Sequence, residues 1–389
     1  MRAEIISLGC RLNIAESEQI AALVQDEDVV VINSCAVTSE AVRQTRQAIR
    51  RARRARPDAR LLVTGCAADI EREQLAAMAE VDGLVPNQAK LDARAWNVPR
   101  PRAATGHRHS RAFIGVQNGC DHACTFCVIP QGRGASRSLP VAAVLREVER
   151  HLDRGAREAM LTGVDLTSWG HGLPGVPPLG ELVLAILDAF PTLPRLRLSS
   201  VDGIEIDPLL FDLLAEEPRL MPHLHLSLQH GADLILKRMK RRHLRRDAVN
   251  LVQALRQRRP DIAIGADLIA GFPTETEAHH RQNLSIISEL AIVHAHVFPY
   301  SIRPGTPAAR MPQLAREVVK ARAADLRAAA ARVREDWLHS LLGTPQAVLA
   351  ERDGTGHAPG FARVALPAGT KAGDIVTVTP TRIEEGMLR

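Results

Sequence analysis

Gly119-Cys120-Asp121-His122-Ala123-Cys124-Thr125-Phe126-Cys127-Val128-Ile129-Pro130 places three thiols within eight residues, directly after the apolar run Phe113-Ile114-Gly115-Val116. A packed core has no use for this spacing, and Asp121 and His122 are poor core residues. Zinc usually takes paired Cys or Cys/His ligands, whereas Cys-x3-Cys-x2-Cys offers three thiolates on one tight loop and no fourth. Three thiolates suit a four-iron, four-sulfur cluster whose last iron stays open for a substrate or cofactor.

The other three cysteines are Cys10, Cys35 and Cys66, and each closes an apolar run: Ala3 to Gly9, Val29 to Ser34, and Leu61 to Gly65. Between these runs lie helical stretches at Glu16 to Val24, Ser39 to Arg56 and Ile70 to Ala79. This alternation predicts a small doubly wound α/β domain over residues 1–95, whose parallel strands point their carboxyl ends to one edge. Three cysteines at three strand ends can then converge on a second cluster, or each can merely pack behind its strand. Asn13, Glu16 and Asn33 lie close by in sequence, where they would orient ligands or serve caps and turns.

Residues 96–110, with Pro99, Pro101 and Gly106 and no apolar period, read as a linker. Beyond it, six apolar strand candidates, each followed by a helical stretch, fall at 111–118, 157–164, 195–201, 223–229, 262–269 and 292–299. They predict an open (β/α)6 barrel within residues 111–341, with its chemistry at the carboxyl ends of the strands. Polar residues stand there: Asp165, Ser200, Gln229 and, on the fifth strand, Asp267. The fourth strand alternates cleanly, so His223, His225, Ser227 and Gln229 share one face. Such an inward face suits a nucleoside cofactor with a ribose, an amino group and a carboxylate. A long Ala/Arg/Leu helix, about Leu314 to Leu342, leads to a tail over 342–389 of short alternating runs between Gly-containing turns, a small all-β module.

The chain has 389 residues, 46% of them hydrophobic and 24% charged, as in globular proteins. No apolar run approaches the about eighteen residues that span a bilayer, and Met1 to Ser7 reads as a strand, not an export signal. A cytoplasmic protein without disulfides is expected. The formal net charge of +6 favours an anionic partner. Arginines crowd the helix after Cys35 (Arg43, Arg46, Arg50, Arg51, Arg53, Arg54, Arg56), and seven of the eleven residues 236–246 are Lys or Arg. Each run is either a solvated face or a grip on phosphate.

Taken together, these motifs resemble the methylthiotransferase family of radical S-adenosylmethionine enzymes. The resemblance rests on Ser7-Leu8-Gly9-Cys10, Ile32-Asn33-Ser34-Cys35, Thr64-Gly65-Cys66, Gly119 to Pro130, Leu161 to Asp165, Gly271 to Thr276 and Phe298 to Ser301, and it spans nearly the whole chain. Within the family, Leu198-Ser199-Ser200, His223 to Gln229 and Leu236 to Met239 look most like the branch that modifies N6-threonylcarbamoyladenosine beside the tRNA anticodon. Departures are Gly115 where a Lys is frequent, Leu139 after Arg137-Ser138, His230 for a usual Ser, and a short tail.

The resemblance implies two 4Fe–4S clusters. One on Cys120, Cys124 and Cys127 would bind and reductively cleave S-adenosylmethionine. The other, on Cys10, Cys35 and Cys66, would deliver a methylated sulfur to adenine C2 of the tRNA nucleoside at position 37. Phe126 would lie near the adenine of the cofactor, Val128 and Ile129 would read its edge, and the tail would be a TRAM-like RNA-binding barrel. Further partners would be a flavodoxin-type electron donor and a sulfur source. Alternative readings are methylthiolation of isopentenyladenosine or of a ribosomal-protein aspartate, a radical maturase whose second cluster only relays electrons, and a non-catalytic RNA-binding iron–sulfur protein.

Overall fold

A computed structural model describes residues 3–24, 27–97 and 110–389. Met1 and Arg2 of the expected first strand, and residues 98–109 of the expected linker, lie outside the described residues. The chain divides into two compact units. One holds the residues up to the linker with 117–137 and 301–310; the other holds 110–116, 138–300 and 311–389.

The first unit is built on a parallel sheet of β1 (Glu4–Ser7), β2 (Val29–Ser34), β3 (Arg60–Gly65) and β4 (Gly83–Leu84), in that order. Every residue of β2 is buried, because the sheet is covered on both faces. Val30, Ile32, Leu61 and Val63 face Val42, Ala48, Ile49 and Ala52 of helix α2 (Ser39–Ala55). The alternate residues Val29, Val31 and Leu62 face Ile20 and Val24 at the end of helix α1 (Arg11–Leu23). Helix α1 starts five residues before the expected Glu16, because Cys10 itself takes the extended N-cap position. The expected helix from Ile70 to Ala79 is two short ones, α3 (Cys66–Ile70) and Arg72–Ala76. The segment 117–137 packs on this sheet unit, and 301–310 is fastened to it by a Ser39 Oγ to Ser301 Oγ hydrogen bond of 2.7 Å and by Ala308 N donating to Thr125 O at 2.9 Å.

The second unit carries six parallel strands. β5 (Ala112–Gly115), β6 (Glu158–Thr162) and β7 (Arg195–Leu198) form one triplet; β8 (His223–Gln229), β9 (Ala263–Ala270) and β10 (Ile292–Pro299) form the other. Parallel bridges Leu196–Leu220 and Val201–Leu226 join the triplets, so the six strands run on as the expected open (β/α)6 sheet. Leu, Ile and Val from strands and helices make one continuous core, including Ile114, Leu161, Leu196, Leu224, Ile264 and Ile292. The last strand buries Ile292 and Val293 but leaves Phe298 37% exposed, as an open edge requires.

Residues 346–388 form a separate six-stranded sheet, antiparallel apart from one pair, over Val348, Val364 and Leu388. Strands at Thr355–His357, Ile383–Glu384 and Met387–Leu388 add to the three runs expected from sequence. This module sits on the amino ends of the barrel strands. Arg197 donates to Pro359 O (2.8 Å) and Ala358 O (2.9 Å), His294 bonds Gly360 O (2.9 Å), and Phe361 stacks on His223 with ring centroids 5.1 Å apart. His223, expected on the ligand-facing side, is thus a packing residue beneath the barrel. Under the loop lies Glu158, fully buried and paired with Arg111 (2.7 Å) and Arg197 (3.0 Å). Burial alone would raise its carboxyl, but the guanidinium groups of Arg197, Arg111 and Arg195 outweigh this and hold it at about 2.

Candidate functional site

The three early cysteines meet at the carboxyl edge of the first sheet. Cys10 precedes α1, Cys35 follows β2, and Cys66 is the first residue of α3 directly after β3. Gly9 (φ +92°) and Gly65 (φ +90°) make the approach possible. A Cβ on Gly9 would lie 2.7 Å from Cys35 Sγ, and one on Gly65 only 2.4 Å from Ser34 O. Cys10 is exposed, whereas Cys35 and Cys66 are buried. Burial pushes the Cys35 thiol up to about 11, and the neighbouring Cys66 and Cys10 push it the same way. Three cysteines gathered at neighbouring strand ends form the donor set that an iron–sulfur cluster, whose core charge compensates three thiolates, would satisfy.

Behind them lies a buried polar network that also holds Asn13, Glu16 and Asn33. Asn13 Nδ2 donates to Leu8 O (2.6 Å) and Ser34 O (3.0 Å), tying together the turns that carry Cys10 and Cys35. Glu16, 2% exposed, takes Lys90 Nζ on one oxygen at 2.5 Å. Arg133, also 2% exposed, bonds both Glu16 oxygens at 3.0 and 3.1 Å and reaches Asn13 Oδ1 at 2.5 Å. Burial would raise the Glu16 carboxyl, but Lys90 and Arg133 overcome it and hold it below the usual range. The Cys66 thiol is raised by burial, with Arg133 and Lys90 opposing. Sequence reasoning found Asn13, Glu16 and Asn33 but missed Lys90, Asn87, Asn118 and Arg133.

The second cysteine set is held by its own backbone. Gly119 takes φ +77° where a Cβ would strike Ala135 O at 1.9 Å, and Cys120 N donates to Gly134 O at 3.1 Å. His122 N donates to Cys120 Sγ and Ile129 N to Cys127 Sγ, each at 3.4 Å, which holds two of the sulfurs in place. All three sulfurs are partly accessible. Of the expected cofactor contacts on this loop, Phe126 and Ile129 are half-buried and Val128 is buried.

In the barrel, Asp165 and Ser200 follow β6 and β7, and Gln229 ends β8 in a left-handed conformation at φ +69°, a strained setting for a residue with a side chain. Asp165 accepts from Ser168 Oγ at 2.6 Å. Asp267 Oδ1 lies 3.1 Å from His225 Nε2 and 3.0 Å from His296 Nδ1. Burial works against its charge, but the two imidazoles hold its carboxyl well below the ordinary range. His296, 54% exposed at its side chain, is a further residue that sequence reasoning passed over. His230, one of the departures, is buried between Ala232 N, which donates to its Nδ1 at 2.9 Å, and Glu275 Oε2 at 3.2 Å. That same Glu275 oxygen accepts from Gly271 N (2.9 Å) and Phe272 N (3.2 Å), which accounts for the Gly271 to Thr276 motif as a folded turn.

Most cations of the arginine runs pair with groups of the chain itself. On α2, Arg43 pairs with Glu40, Arg46 with Glu71, Arg50 with Glu80, Arg53 with Asp82 and Arg56 with Asp28, while Arg51 and Arg54 are exposed. In 236–246, Arg238 bonds Thr274, Arg241 bonds Asp202, Arg242 bonds Glu205 and Arg245 bonds Glu289, leaving Lys237, Lys240 and Arg246 on the exposed surface.

Comparison with known proteins agrees with this architecture. Residues 114–285 match the Radical SAM superfamily and residues 2–86 match Uncharacterized protein family UPF0004. The chain is 40% identical, over 100% of its length and 97% of the relative's, to the Threonylcarbamoyladenosine tRNA methylthiotransferase MtaB of Rickettsia prowazekii. It is 33% identical, over 90% of its length and 87% of the relative's, to the tRNA-2-methylthio-N(6)-dimethylallyladenosine synthase of Cereibacter sphaeroides. Among solved structures, the radical S-adenosylmethionine methyltransferase TsrM of Kitasatospora setae superposes with a TM-score of 0.53 at 17% identity, covering 76% of this chain and 68% of that one; the likeness is one of fold. The protein is a radical S-adenosylmethionine enzyme of the transferase class. It belongs to the methylthiotransferase family, and its cofactors are S-adenosylmethionine and two 4Fe–4S clusters. No described helix is long and apolar enough to cross a membrane.

Proposed function

We propose that this enzyme adds a methylthio group to C2 of N6-threonylcarbamoyladenosine at position 37 of tRNA. Cys120, Cys124 and Cys127 would hold the cluster that binds S-adenosylmethionine, and Cys10, Cys35 and Cys66 the auxiliary one. The observation that carries this reading is the second trio: three cysteines from three strand ends brought together over a buried cationic network, in an enzyme that already has a complete radical-generating motif. When bound, the clusters supply reductive cleavage of the cofactor and the sulfur to be transferred. The protein's own residues hold, orient and shield them. Gly119 and the N–H groups of His122 and Ile129 fix the exposed sulfurs; Asn13 and Arg133 fix the turns behind the buried ones. Phe126, Val128 and Ile129, and in the barrel Asp165, Ser200, Gln229 and Asp267, are the proposed cofactor contacts.

The relative at 40% identity carries threonylcarbamoyladenosine in its name, and the barrel adds support from chemistry. The half-exposed His296 on the edge strand, hydrogen-bonded to Asp267 on the next strand, suits a polar, hydroxyl-bearing substituent better than an apolar isopentenyl group. Residues 342–389 are proposed as the RNA-binding module, with an electron donor and a sulfur source as further partners. Mass spectrometry of tRNA nucleosides from cells with and without this gene tests the substrate. The methylthio form of threonylcarbamoyladenosine should disappear with the gene; its equal abundance in both would overturn the assignment.

A further inference from the structure

Glu16 brings one negative charge to the buried network, and Lys90 and Arg133 bring one positive charge each; nearby Asp69 is paired with Arg72. With both cations charged, one positive charge is left over beside the cysteines of the first sheet, a charge that burial disfavours at Lys90 unless an anion joins it. Buried positive charge in excess of its counter-charge is costly, so a pocket made this way is suited to an anion. A 4Fe–4S core on three thiolates is such an anion, and it becomes more negative on reduction.

Arg133 is also the last residue of the short helix Ile129–Arg133 that directly follows Cys127. This helix lies flush on α3. A Cβ on Gly132 would stand 3.4 Å from Cys66 Cα, and Gly132 O accepts from Asn87 Nδ2 at 2.5 Å. Asn118, on the other side of the cysteine loop, donates to Glu16 Oε1 at 3.2 Å and accepts from Arg133 at 2.8 Å. The loop of one trio is thus anchored at both ends in the pocket of the other, through the same charged residues.

We propose that Arg133 and Lys90 are positioning residues for the auxiliary cluster: they supply the charge that balances its reduced form, and Arg133 makes the loop of Cys120, Cys124 and Cys127 part of that balance. This rests on the reading that Cys10, Cys35 and Cys66 hold a cluster. A neighbouring positive charge favours the state with the extra electron, so its removal lowers the midpoint potential.

The test is a redox titration followed by electron paramagnetic resonance on the full-length, anaerobically reconstituted chain. A Cys124→Ala background isolates the auxiliary signal. Arg133→Met and Lys90→Met should each shift the midpoint to more negative potential, whereas Arg133→Lys, which keeps the charge, should stay near the parent. Unshifted midpoints in both Met variants overturn the proposal, as does an Arg133→Lys shift as large as that of Arg133→Met. Should Arg133→Met fail to fold, Lys90→Met on the other side of Glu16 carries the same comparison. Absence of any auxiliary signal in the Cys124→Ala parent would overturn the underlying cluster reading; a normal signal that ignores these substitutions overturns this inference alone.

Discussion

The ring of His225 occupies the space that a side chain on residue 265 would need: a Cβ built on Gly265 lies 2.3 Å from His225 Nδ1. Strands β8 and β9 pair these two residues directly, and the freed space lets the ring's far nitrogen reach Asp267. Gly265→Ala should therefore displace His225 and cost about 1–3 kcal/mol, the usual penalty of overpacking. Urea unfolding measures it. Adding His225→Ala should recover part of the loss, a recovery that would not occur if residue 265 mattered only for its own backbone.

Replacing Cys10, Cys35 or Cys66 singly by Ala should reduce iron from roughly eight to roughly four atoms per chain. Methylthiolation should vanish while release of 5′-deoxyadenosine continues from the other trio. Loss of both activities in every variant would contradict a division of labour between the sets.

The pH dependence of folding should carry the mark of Glu158. Its folded carboxyl lies at about 2, below the ordinary glutamate value of 4.5, so the stability it contributes is complete above about 4.5 and fades as pH falls toward 2. Glu158→Gln leaves Arg111, Arg195 and Arg197 without their anion and should cost about 3–5 kcal/mol at neutral pH. Its denaturation midpoint should then fall less steeply than the parent's over that acid window. Parallel curves would count against the assignment.

Phe361 pins the C-terminal module, stacked on His223 and lying beneath the guanidinium of Arg197 at 4.8 Å from its ring centroid. Phe361→Ala should cost on the order of 1–3 kcal/mol and loosen the module first. Limited proteolysis reads this as early cleavage near residue 342, with the barrel still folded.

If the exposed cations touch RNA, Lys240→Glu and Arg246→Glu should each weaken tRNA binding and reduce its salt dependence by about one phosphate contact. Arg241→Glu, by contrast, should destabilise the fold, because Arg241 is bonded to Asp202 at 2.8 Å and to Ser227 O at 2.9 Å. Filter binding across a salt series, with melting curves alongside, separates the two effects.

Much of the fold was legible because its signals are local. Each barrel strand is an apolar run closed by a turn, and the expected and observed strands overlap throughout. The cysteines of the first sheet were legible for the same reason, each following its strand. What stayed hidden lacks a local signal. Lys90 and Arg133 meet Glu16 from 74 and 117 residues away, and a lone Lys or Arg announces nothing in sequence. Strands of two or three residues, such as Ile383–Glu384, are too short to show a period. His296 lay on a strand whose alternation is blurred at an open edge. The arginine runs could not be resolved by density alone, since a count of charges does not tell which acids fold back to meet them.

The C-terminal sheet grips the floor of the barrel, whereas the reacting base belongs at its mouth. Strand β9 has eight residues, a length of about 26 Å at roughly 3.3 Å per residue. An RNA held at both, as proposed, would have to span a comparable distance. The tail would then be a distant handhold on the body of the RNA, with the choice of nucleotide left to the rim.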